Sequence, residues 1–214
     1  MLKLLGRRTL GLAIAGAALL TGCAGHTQSV QADLSSPQSA ALAFFQAIGR
    51  GDSATARNAS VGGDQDKQWI DAMVTLIVGL RQYDQALRSR FGRDAAQTDA
   101  DLRQALAGLT EDPITGLTEP IVLEDGESAT VKPAYHHNLR LAARPPVYLR
   151  KIKDAWKVDL PATAQADPRH NFALVKQFLA AGQALQQAAR QIAAGRYKTL
   201  AEAQQAIDAQ LLPN

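Results

Sequence analysis

The chain of 214 residues has 46% hydrophobic, 20% charged and 5% aromatic side chains. That composition can bury an ordinary core without disulfide or metal staples, and it excludes long disorder as the general state. The formal charge of +3 is the excess of 23 Lys plus Arg over 20 Asp plus Glu, but Lys3, Arg7 and Arg8 lie in the first 22 residues, which hold no acid. Removing those three bases leaves a neutral chain with no run of five or more Lys or Arg. Such a surface sets up no long-range field for phosphates, so nucleic acid is not an expected partner.

After Lys3, Arg7 and Arg8 comes an uncharged, largely apolar stretch from Thr9 to Leu20, which is export-signal anatomy. It is shorter than the roughly 20 apolar residues that span a bilayer comfortably, so no stable transmembrane helix is expected after processing. The stretch closes on Leu20-Thr21-Gly22-Cys23, which resembles the lipobox of bacterial lipoproteins. That resemblance implies cleavage between Gly22 and Cys23, a diacylglycerol thioether on Cys23, and anchoring by several acyl chains such as palmitate. Several chains hold a protein stably where a single chain binds at only about 10⁴ M⁻¹. An incidental thiol in an ordinary signal peptide or short anchor is the alternative. Cys23 is the sole cysteine, so no internal disulfide forms. Ala24 and Gly25 follow, with no Asp beside the cysteine; by the sorting rule of Gram-negative lipoproteins this implies the outer membrane, facing the periplasm. Arg7-Arg8 leaves the general and twin-arginine export routes both open.

Residues 23–35 read as the lipidated cysteine and a small, polar tether. Ser36-Pro37 supplies an N-cap and a first-turn proline for a helix whose Leu42, Phe45 and Ile48 are expected to face inward, ending at Gly49. A second short helix, capped by Asp52, is expected to Ala59. The strongest periodicity covers Asp64 to Arg90, with Trp69, Met73, Leu76, Ile77, Leu80, Tyr83 and Leu87 on one stripe and Gly92 as the stop. A further helix is expected over Thr98 to Leu109.

From Asp112 to Pro161 the pattern changes to short β-branched stretches. Ile121-Val122-Leu123, a Glu124-Asp125-Gly126-Glu127 turn and Ala129-Thr130-Val131 predict one hairpin. Val147 to Ile152 and Trp156 to Leu160, joined at Lys153-Asp154-Ala155, predict a second. Trp156, Val158 and Leu160 then share one face, and Lys157 and Asp159 point outside. The expected product is an antiparallel sheet with one covered face. Helix returns from about Asp167 to Ala194, with Val175, Phe178, Leu185, Ala189 and Ile192 inward, and ends at Gly195. Thr199-Leu200-Ala201-Glu202 spells a capping box for a last helix, with Leu200, Ala203, Ile207 and Leu211 on its buried stripe. The fold class is thus α+β, with N-terminal helices on a curved antiparallel sheet and an additional C-terminal helical pair. Residues 1–22 form the signal, 36–161 the α+β body, and 162–214 a helical hairpin packed on that body.

The opening Ser36-Pro37-Gln38-Ser39-Ala40-Ala41-Leu42-Ala43-Phe44-Phe45-Gln46-Ala47-Ile48 with Gly51-Asp52, and the strand Trp156-Lys157-Val158-Asp159-Leu160, resemble the first helix and last strand of the nuclear transport factor 2-like superfamily. The likeness is to its bacterial envelope lipoproteins of unknown function and covers residues 36–161. It implies a cone-shaped pocket between sheet and helices. Members use that pocket for chemistry of the ketosteroid isomerase or dehydratase kind, or for binding ligands and partner chains. Fold therefore narrows function little.

The candidate pocket or ligand residues are Trp69, Tyr83, Tyr135, His136, His137 and Tyr148. A stripe such as the one holding Trp69 and Tyr83 is core first. Tyr135-His136-His137-Asn138 lies between the hairpins. Adjacent strand residues point to opposite faces and no third ligand is spaced to join them, so no metal and no cofactor are expected. An acid–base pair of a His with Asp159, Glu119 or Tyr148 is the enzymatic alternative, an isomerase, dehydratase or hydrolase. The chain has no Gly-rich phosphate loop, Gly-x-Ser-x-Gly elbow or His-Glu-x-x-His run. The first expectation is therefore a noncatalytic binding or structural module. It is anchored to the membrane through Cys23 and meets an envelope protein or a small ligand.

Overall fold

The structure, a computed structural model, describes residues 32–95, 117, 120–132, 145–166 and 174–211. The signal, most of the tether, and the expected helix over Thr98 to Leu109 lie outside these residues. Helix α1 (Pro37–Arg50) begins as its sequence dictates: the Ser36 hydroxyl accepts from the Ser39 N–H at 3.1 Å, and proline occupies the first turn. Helix α2 (Ser53–Asn58) is capped by Asp52, whose carboxylate accepts from the Thr55 N–H at 2.9 Å. A two-residue strand, β1 (Ser60–Val61), leads into the 28-residue helix α3 (Asp64–Phe91) and a 3₁₀ turn, Gly92–Ala95. Asp66 opens α3 by accepting from the Gly63 N–H at 2.7 Å.

Strands β2 (Ile121–Asp125), β3 (Ser128–Lys132), β4 (Val147–Ile152) and β5 (Ala155–Asp159) form two hairpins that pair as a meander. The sheet runs β1-β5-β4-β3-β2, and β1 lies parallel to β5, pairing Ser60 with Val158 and Val61 with Asp159. The sheet is therefore mixed where a purely antiparallel one was expected. So short a strand has no periodicity to read; it exists because residue 60 arrives beside residue 158.

Among the described residues three further helices follow: α4 (Leu160–Ala166), α5 (Val175–Ala193) and α6 (Leu200–Leu211). Helix α4 occupies the end of the region read as strand. Its Thr163 hydroxyl accepts from the Tyr148 N–H at 3.2 Å, standing in for the strand neighbour that β4 loses when β5 turns away. The box expected at α6 is formed with one change. Thr199 Oγ1 accepts from the Glu202 N–H at 3.2 Å, but Glu202 reaches back to the Lys198 N–H, at 2.8 Å.

Two apolar cores result. The first joins α1, α2, the N-terminal half of α3 and one face of the sheet, through Phe44, Ile70, Ile77, Val131, Leu149, Trp156 and Val158. In α1 the buried residues include Ala40, Ala41, Ala43, Phe44, Ala47 and Ile48, while Leu42 and Phe45 are only half-buried. The small alanines put the helix axis close to the sheet and rotate the inward face by about one residue from expectation. The second core joins the C-terminal half of α3 to α5 and α6, through Tyr83, Leu87, Leu185, Ala188, Ala189, Ile192, Ala203 and Ile207. The α3–α5 contact is the most extensive between any two elements. It closes on two glycines: a Cβ on Gly182 would lie 2.6 Å from the Thr75 carbonyl, and one on Gly79 would lie 2.5 Å from the Gly182 oxygen. Among the described residues no helix is long and apolar enough to cross a membrane.

Candidate functional site

Alternation along β4 and β5 sends Val147, Leu149, Trp156 and Val158 into the first core and Tyr148, Arg150, Lys157 and Asp159 to the other face. Asp159, expected outside, is buried on that far face because α4 folds back over it. Its carboxylate accepts from Arg150 Nη2 at 2.6 Å and from the Ala162 N–H at 3.1 Å, so it serves as ion-pair partner and as helix cap.

Tyr148 is half-buried beside α4, on the face opposite the core. Trp69 is buried in the first core and Tyr83 in the second. They are 14 positions apart on α3, about 21 Å along its axis at 1.5 Å per residue, so no single cavity takes both. The Tyr83 hydroxyl is buried with no hydrogen-bond partner among the described residues. Its pKa is pushed up to about 12, first by burial and then by the nearby charges of Asp208 and Tyr197. Tyr135, His136, His137 and Glu119, like Gly22 and Cys23, lie outside the described residues. Among the described residues no three His, Cys, Asp or Glu side chains are placed to share a metal.

The structure does bring the start of the folded body to the second hairpin. The Trp156 N–H donates to the Leu34 carbonyl at 2.9 Å, and the Val158 N–H donates to the Ala59 carbonyl at 2.9 Å on the same edge of β5. The chain coming from Cys23 therefore meets the sheet near the β4–β5 turn. That turn carries Lys151, Ile152, Lys153, Asp154 and Lys157, with Lys153 at φ 57° and Ile152 39% exposed. Lys151 Nζ stands 5.8 Å from the centre of the Trp156 ring. The bases are visible in the sequence as an alternating strand pair. Their closeness to the tether is not visible there, because more than 100 residues separate the two. Exposed Ile121 and Leu123 line the far edge strand, β2, on the face opposite the core.

Comparison with protein-family models, with curated proteins and with solved structures finds no match for this chain.

Proposed function

We propose that the protein is a lipid-anchored lipoprotein of the cell envelope, held through acylated Cys23 on the periplasmic side of the outer membrane. Its folded body acts as a noncatalytic binding or structural module with a nuclear transport factor 2-like core. The observation that carries the reading is the Leu20-Thr21-Gly22-Cys23 box closing a basic, then apolar, leader. Supporting it, the folded body follows the cysteine after a short polar segment, and helices pack on one face of the sheet. The fit to a binding module is chemical: Trp69, Tyr83 and Trp156 are core residues, and among the exposed apolar side chains Ile121, Leu123 and Ile152 sit on a sheet edge and a turn, where a partner can reach them.

The test is Cys23→Ser in the natural host. The variant is expected to accumulate as a precursor still carrying residues 1–22, while the wild type is processed and fractionates with the outer membrane. Normal processing and membrane retention of the variant would remove the anchor from the account.

A further inference from the structure

The tether joins the folded body beside the β4–β5 turn. From Cys23 to Leu34 there are 11 peptide steps, which reach at most about 40 Å at full extension. Leu34 is itself hydrogen-bonded to Trp156, four positions from the end of β4. The anchored chain therefore enters the folded body beside the β4–β5 turn. Resting on the anchored reading above, we infer that this turn docks on the bilayer: Lys151, Lys153 and Lys157 meet anionic phospholipid headgroups, and Ile152 enters the interface between them.

Lysines 151, 153 and 157 make no salt bridge among the described residues, and Lys151, Ile152 and Lys153 are exposed. Arg150 is already paired with Asp159 and adds little net charge. The acids facing the turn are Asp154 within it, Asp33 beside Leu34, and Glu124, Asp125 and Glu127 of the first hairpin. Glu127 is level with Lys151, whose N–H donates to the Glu127 carbonyl at 2.7 Å. Lys153 lies two residues further along and projects about 7 Å beyond Glu127, while Lys157, paired with Arg150, lies one register behind Lys151. This is close to one screening length at physiological salt, so headgroups meeting the tip see Lys153 first, with Lys151 and Lys157 behind it on the two faces of the hairpin. An exposed isoleucine between two lysines adds the apolar contact that a purely electrostatic patch lacks.

The experiment uses the full chain purified from its host membranes with its own anchor. It is placed in vesicles of phosphatidylcholine alone or of an equal mixture with phosphatidylglycerol, and followed by amide hydrogen exchange. Amides of Lys151 to Ala155 are expected to exchange at least about fivefold more slowly on the anionic vesicles only. The charge reversals K151E, K153E and K157E together, or high salt, are expected to abolish that protection while amides of α3 stay protected. Equal exchange on both vesicle types, or protection that survives charge reversal and high salt, overturns the proposal. The mass of the Cys23 peptide separates the two claims. If it carries no acyl chains the anchored reading fails, and coupling the Cys23 thiol to a maleimide-headgroup lipid in the same vesicles still decides whether the turn docks.

Discussion

Replacing Gly182 with alanine tests the packing that joins the two cores. The new Cβ would meet the Thr75 carbonyl carbon and oxygen at 2.6 Å and the Leu76 nitrogen at 2.7 Å, all backbone atoms of α3. Backbone cannot rotate away as a side-chain end can, so the helices must separate by about 0.8 Å to restore ordinary contact near 3.4 Å. Alanine in mid-helix returns about 1 kcal/mol of propensity. Against this, a gap of that size forfeits a quarter to a half of the dispersion attraction of the side chains along the seam. Leu185, Ala188, Ala189 and Ile192 all lie on it, and each large aliphatic among them is worth about 1.5 to 3 kcal/mol of burial. Overpacking of this kind costs up to about 3 kcal/mol, leaving a net loss of about 2 kcal/mol. In a chain of this size that lowers Tm by about 4 to 8 °C. Thermal unfolding followed by far-UV circular dichroism reads it, with Gln183→Ala, an exposed neighbour on α5, expected to leave Tm within about 1 °C. A G182A protein as stable as the wild type would refute the close approach of α3 and α5.

Tyr83→Phe is expected to raise stability by about 1 kcal/mol, since the hydroxyl is buried without a partner among the described residues. The sign of its pH dependence also follows. With the folded pKa raised to about 12, the unfolded chain releases this proton first. The contribution is complete below the ordinary tyrosine range near 10 and is lost as pH rises from there toward 12. The wild type should therefore lose more stability over that interval than Y83F, and equal losses in urea titrations would contradict the burial. Asp159→Ala removes an ion-pair partner and the cap on Ala162 together and should cost about 2 kcal/mol. Asp159→Asn keeps a capping oxygen and should cost about half as much, so equal Tm shifts for the two would sink the double role.

Much of the architecture is legible because local signals carry it. Ser36-Pro37, Asp52 and Thr199 cap the helices they announce, and Gly126 and Lys153 mark the turns of two hairpins, in the second of which the alternation puts Trp156 and Val158 inward as expected. What stays hidden is non-local. Strand β1 exists only through its pairing with β5, and the burial of Asp159 depends on α4 returning across it. In α1, Phe44 and Phe45 fit a helical stripe equally well in sequence; the buried alanines that let the helix approach the sheet decide between them. Gly79 and Gly182 read as weak points of two helices, and their purpose appears only when those helices meet. Tyr83 and Trp69 share a stripe yet serve different cores, because a 28-residue helix outlasts the sheet that it first packs against.

The most direct test of the account as a whole is the intact mass of the wild-type protein taken from the membranes of its own host. The account requires a chain starting at Cys23 and carrying the added mass of a diacylglycerol thioether and acyl chains, lost when Cys23 is replaced. A chain that still begins at Met1, or one bearing Cys23 as a free thiol, would contradict it.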